Sequence, residues 1–247
     1  MENFLAINLL VLFGSLVALG AALASLRIKP LTRLFTRYGT SFASGVLLTV
    51  TLLDLIPEAV HEMGETAFFW VLFSFLATYI FENYLFTLHH HPDQHHHAAH
   101  TTVVPLIIFG DTIHNLIDGA AIAAAYLATP SLGVVTALST FLHEVPHEMG
   151  DIGVLLAAGW RRLKIIWVNT LSALASFLGA LVVLTAAQTL SIVGPLLAVS
   201  SGMFLYLAAS DFLPKPSKNS PYKKAVIALM MGVLVMLVAT QLVPHPA

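Results

Sequence analysis

The sequence predicts an all-α fold, a polytopic membrane protein whose eight transmembrane helices form a single domain over residues 1–247. Three observations predict it. Of 247 residues, 57% are hydrophobic and only 10% charged, whereas soluble domains carry about 25% charged residues. Eight apolar segments can be marked, near 3–26, 39–57, 66–88, 101–128, 131–159, 165–187, 191–213 and 225–243. Each approaches or exceeds the roughly 20 residues that a spanning helix needs, and none alternates in polarity as barrel strands do. The third observation is where the basic residues lie. All eleven fall in three clusters, after the first, fifth and seventh segments. The net charge of −2 gives a nucleic acid no reason to bind, and without cysteine there is neither a disulfide nor a thiolate ligand.

The first segment, Asn3 to Leu26, is uncharged and too long for the apolar core of a signal peptide, so it is expected to stay as the first span. Arg27, Lys29, Arg33 and Arg37 follow it; Arg161, Arg162 and Lys164 follow the fifth segment; Lys215, Lys218, Lys223 and Lys224 follow the seventh. With eight spans these loops share one side, which the positive-inside rule makes the cytoplasm, and both termini face outward. The second span ends at Asp54, Pro57 and Glu58, and an outward loop is expected to add His61, Glu62 and Glu65. That group reads either as an acidic mouth that gathers cations or as a solvated loop. The third span carries Glu82 and runs into a histidine-rich cytoplasmic loop at 89–100, with seven histidines in twelve residues, a metal-binding composition. Asp211, late in the seventh span, reads as a helix-end group in preference to an exit-path group.

The chemistry concentrates in the fourth and fifth spans. The fourth holds Asp111, His114, Asn115 and Asp118; the fifth holds His143, Glu144, His147, Glu148 and Asp151. Residues four apart share a helix face, which pairs His114 with Asp118 and His143 with His147. A tight turn is expected around Ala128 to Ser131, so at 1.5 Å per residue the two motifs reach similar depth in a hairpin. Asp111 could ligate or orient a ligand, and Pro146 should bend its helix. Each central Asp costs about 2.5–3.5 kcal/mol on the insertion scale, and these spans contain no Lys or Arg to neutralise it. A bound divalent cation would. His114, Asp118, His143 and His147 make a set of three nitrogens and one oxygen that suits zinc and is workable for Fe2+, Co2+ or Cd2+. Asn115 and Glu144, turned about 100° around their helices, could build an adjoining site. Glu148 is a weaker candidate.

The runs His114-Asn115-x-x-Asp118-Gly119 and His143-Glu144-x-Pro146-His147-Glu148-x-Gly150-Asp151 resemble the ZIP (Zrt/Irt-like) family of metal transporters, its LIV-1 subgroup in particular. The eight-span layout and the histidine-rich loop match as well, so the resemblance covers essentially the whole chain. It implies a ZIP-like bundle that moves a divalent metal ion, zinc first, into the cytoplasm as a transported substrate, with no cofactor. By position it implies a primary site of His114, Asp118, His143 and His147. The secondary site adds Asn115 and Glu144, with Asp118 and His147 bridging. It further implies a homodimer in a lipid bilayer. With only Met1 and Glu2 before the first span, the expectation is a minimal form without a large extracellular domain, in a prokaryotic inner membrane.

Two rivals use the same residues. His143-Glu144-Val145-Pro146-His147 satisfies His-Glu-x-x-His, so an intramembrane zinc metalloprotease would use Glu144 as general base. Pro146 inside that motif, Asp118 preceding it and the unexplained fourth-span motif argue against an enzyme. A non-transporting metal sensor would share the ligands, but would give no uptake. In each reading metal affinity should fall below about pH 6.5, where protonated imidazole cannot ligate.

Overall fold

The computed structural model describes residues 2–89, 99–188, 190–214 and 222–243. The described residues are helical and contain no strand. The first helix, α1, runs Glu2–Leu12, loosens into a π-helical stretch at Phe13–Val17 and resumes over Ala18–Ser25. Helix α2 repeats the pattern over Lys29–Val50, Thr51–Leu55 and Ile56–Met63. Then come α3 (Thr66–His89), α4 (Ala99–Ala128) and α5 (Pro130–Ala157). Helix α6 is Arg162–Ala173 continued by Ala175–Ala186; α7 is Val193–Tyr206 with a π-helical end, Leu207–Phe212; α8 is Tyr222–Leu242. Six of the eight are long and apolar enough to cross a membrane; α4 and α5, at 30 and 28 residues, are long enough but carry the polar motifs. The chain is an integral, multi-pass membrane protein.

Helix boundaries outrun the apolar windows where a helix can continue into the interface. Helix α2 starts at Lys29, with Pro30 in its first turn where a missing N–H costs nothing, so Arg33 and Arg37 are helical rather than loop residues. At its other end it continues to Met63, so His61 and Glu62 also stand on the helix, and Gly64 at φ 68° makes the turn into α3. The α4–α5 turn is as tight as expected. Thr129 caps α5, its Oγ1 accepting from the Leu132 N–H at 3.3 Å, and Pro130 opens the helix. Helix α5 runs unbroken through Pro146. The histidine-rich loop at 89–100 lies largely outside the described residues, as does the side chain of Asp211.

Lipid is as apolar as a leucine, so close backbone approach and polar contacts, rather than burial from water, hold such helices together. Glycines mark the approaches. Gly45 of α2 faces the Leu229 carbonyl of α8, and Gly232 of α8 faces the Phe42 carbonyl of α2. Gly119 of α4 and Gly179 of α6 repeat this reciprocal fit against Ser176 and Leu116. Outward faces are greasy, as with Phe68, Phe69, Leu72 and Phe73 on α3. The packing scheme is internally symmetric. Exchanging α1, α2, α3 and α4 with α6, α7, α8 and α5 turns the α2–α8 pair into α7–α3, α1–α5 into α6–α4, and α2–α5 into α7–α4. Both α2 and α7 loosen into a π turn at an Asp-x-x-Pro run, Asp54 to Pro57 and Asp211 to Pro214. Where they cross, the Ser44 hydroxyl donates to the Ala208 carbonyl at 2.9 Å. The α4–α5 hairpin sits between these halves and carries the candidate site.

Candidate metal centre

Helix α4 turns Asp111, His114, Asn115 and Asp118 to one face, and α5 turns Glu144, His147, Glu148 and Asp151 to one face, each set at i, i+3, i+4, i+7 spacing. The hairpin opposes the two stripes. His114 Nε2 lies 3.1 Å from Glu144 Oε1, 3.8 Å from Asp118 Oδ2 and 3.2 Å from His143 Nε2; that nitrogen is itself 3.2 Å from Asp118 Oδ2. All four residues are at most 5% exposed. Zinc ligands at 2.0–2.2 Å in a tetrahedron stand about 3.3–3.6 Å from one another. The observed separations bracket that edge.

The orientation of His143 is fixed from behind. Its Nδ1 is 2.9 Å from the Ser139 carbonyl oxygen, which only accepts, so Nδ1 carries the proton and Nε2 offers its lone pair to the site. Buried polar atoms without a hydrogen-bond partner gather here: His114 Nδ1, Asp118 Oδ1, His147 Nδ1 and Glu148 Oε2. In a helix bundle such atoms normally find partners, and leaving them unpaired in an apolar interior is costly.

The geometry redistributes the expected ligands. Glu144, expected in an adjoining site, completes the group of His114, Asp118 and His143. His147 stands one turn further along α5, outside that group. It groups instead with Asp111 and Asp151, its Nδ1 3.9 Å from Asp111 Oδ1 and 4.0 Å from Glu144 Oε1. Asn115 is held on both sides. Its amide donates to Asp111 Oδ1 at 3.1 Å, and its carbonyl oxygen accepts from the Ser176 hydroxyl of α6 at 3.2 Å. The outer group Glu58, His61 and Glu62 also clusters, but the His61 side chain is 82% exposed.

Sequence reasoning missed three participants. Ser176 anchors Asn115, while the Phe204 and Phe212 rings of α7 lie 5.9 Å from His143 and 6.0 Å from His147. Only α6 left a trace, in Asn169, Ser172 and Ser176 at i, i+3, i+7 in an otherwise apolar run, all buried.

A model of the ZIP zinc transporter family matches residues 3–104 and 89–240. The chain belongs to the ZIP family. Similar proteins include the zinc transporter foi of Drosophila melanogaster, 33% identical over 141 residues, which are 56% of this chain and 20% of that protein. Zinc transporter ZIP10 of Danio rerio is 42% identical over 111 residues, 44% of this chain and 13% of its own length; human zinc transporter ZIP4 is 40% identical over 109 residues, 44% and 17%. The matched segment thus spans a fifth or less of these relatives. They agree with the LIV-1-like pattern of the two motifs.

Proposed function

We propose that this chain carries a divalent metal ion, zinc in the first place, across the membrane into the cytoplasm, binding it between α4 and α5. One observation carries the reading: four buried donors from two helices converge, four of their separations lying between 3.1 and 3.8 Å, with no Lys or Arg on either helix to balance the two carboxylates. His114, Asp118, His143 and Glu144 are the proposed ligands, with Asn115 and His147 beside them. The metal is cargo, and no resident cofactor or catalytic step is assigned. A protease would need His143 and His147 on one zinc and Glu144 free to act on water. Here the two histidines fall in different donor groups, and Glu144 Oε1 lies 3.1 Å from His114 Nε2.

The proposed direction follows the basic residues. Arg27, Arg161, Arg162 and Lys164 flank one end of the bundle, which becomes the cytoplasmic end and leaves both termini outside. A homodimer is the assembly that the family resemblance implies. The deciding experiment is zinc uptake into proteoliposomes. The native chain should accumulate zinc, and His143→Ala and Asp118→Ala should each reduce uptake to that of empty vesicles. Full uptake by either variant would rule this site out as the pathway.

A further inference from the structure

A groove of about 710 Å3 runs between α1 and α5 on one wall and α2 and α8 on the other. Lys224, Ile227, Ala228 and Met231 repeat every three or four positions, so α8 turns a single stripe into it. Apart from Ser25, Tyr38 and Lys224 its lining side chains are apolar, and no acidic residue among the described residues lines it. Along α2 the groove extends from Leu31 to Phe42, about 16 Å at 1.5 Å per residue. That is close to the hydrocarbon depth of one leaflet, about 15 Å. Its deep end lies at Phe141, Leu142 and Val145, on the turn of α5 that carries His143 and Glu144. Its shallow end lies at Lys224, which is exposed near the start of α8 beside Lys223, with Arg33 and Arg37 exposed on α2.

We infer that this groove is a binding site for an anionic glycerophospholipid, with one acyl chain along the groove and the headgroup phosphate at Lys224. The lining chooses the occupant. Side chains of this kind give a hydrated ion or a polar solute almost nothing to hold. An empty space, in turn, forfeits the dispersion contacts of every atom around it, and hydrocarbon is the one filler that a bilayer supplies everywhere. The charge chooses among lipids. Lys224 is the only ionisable group but Tyr38 in the lining, it stands at one end, and no carboxylate opposes it. Basic pockets between spanning helices attract anionic headgroups, and the neighbouring Lys223, Arg33 and Arg37 add to the field within a Debye length. A chain that starts at Lys224 and follows α2 reaches Phe42 within the length of one leaflet. There it fills the seam between α5 and its neighbours at the level of His143, without offering the zinc site a donor. The lipid site is independent of the transport reading, and a failure of zinc uptake leaves it standing.

The test locates the lipid. The full chain is placed in nanodiscs that hold a trace of phosphatidylglycerol with a photoactivatable diazirine at the end of one acyl chain. After irradiation the labelled residues are mapped by peptide mass spectrometry. Adducts should fall on Phe42 and on Phe141 to Val145. Phosphatidylcholine with the same diazirine chain should label these positions about fivefold less. Lys224→Gln should remove that difference, whereas Lys164→Gln, which deletes a charge outside the groove, should preserve it. Ala228→Phe, which fills the groove, should abolish these adducts from both lipids. Adducts confined to outward faces such as Phe68 to Phe73, equal labelling by the two lipids, or a preference that survives Lys224→Gln each overturn the inference. So do photo-adducts replaced by contacts between two copies of the chain across the groove, which would make the occupant protein. If Ala228→Phe does not elute as folded protein, Lys224→Gln, at an exposed position, decides the question by itself.

Discussion

His143 faces the candidate site because of a contact on the far side of its ring. The Ser139 carbonyl, one turn earlier on the same helix, ties down Nδ1 and so aims Nε2 at His114 and Asp118. His143→Ala should therefore weaken zinc binding by at least about tenfold, read by competition with a fluorescent chelator. His143→Asn, which fills part of the space without offering an imidazole nitrogen, should not restore it. Acid should act in the same direction. Protons compete for the imidazole lone pairs, so zinc affinity should be full above about pH 7 and fall progressively below about 6.5. A flat profile from pH 5 to 8 would mean that carboxylates alone hold the ion. At this scale the sequence was legible wherever polarity contradicted its surroundings. His114, Asn115, Asp118, His143, Glu144 and His147 stand out in apolar runs, and all lie at the α4–α5 interface. What could not be read was which of them share one ion. That depends on the register of two opposed helices, and a turn shifted by a single residue would pair them differently.

Helices reveal their existence through apolar length, but their ends obey hydrogen bonding and capping. This explains why α2 runs ten residues past its apolar window at the start, to Lys29, and six past it at the end, to Met63. Periodicity also says nothing about which helices touch. The reciprocal glycines do. Gly179 faces the Leu116 carbonyl and Gly119 faces Ser176, so α4 and α6 lie backbone against backbone beside Asn115. A Cβ at either position would collide with main chain rather than with a yielding side chain. Gly179→Val should force the pair apart and destabilise the fold by about 1–3 kcal/mol, seen as a lower unfolding temperature in detergent. Gly20→Val, a control with open space around its Cα, should leave that temperature unchanged.

For the whole molecule, topology is the quantity most open to measurement. The chain has no native cysteine, so single cysteines can be introduced on a silent background. Glu2→Cys should react with an impermeant thiol reagent applied to intact cells, whereas Lys164→Cys should react only after permeabilisation. The opposite pattern would invert the bundle and reverse the direction of import. Removing residues 89–100 should alter efficiency or regulation while uptake persists, because the central donors all lie on the hairpin beyond that loop; total loss of uptake would assign the loop to the pathway itself. The internal symmetry was the least legible feature. Its plain sequence echo is Ser44-Gly45 and Asp54-x-x-Pro57 against Ser201-Gly202 and Asp211-x-x-Pro214 at the same spacing, too short a match to align two halves whose remaining apolar positions interchange freely.

Thr129 alone separates α4 from α5, and every proposed ligand rides on the hairpin it joins. If that hairpin shifts against its neighbours as a unit, the cargo keeps the same donors at the same distances on both sides of the bilayer. Its dissociation constant is then nearly side-independent, and detailed balance allows traffic both ways. Net flow would follow the electrochemical gradient, so vesicles preloaded with zinc and diluted into chelator should empty through the same protein that fills them.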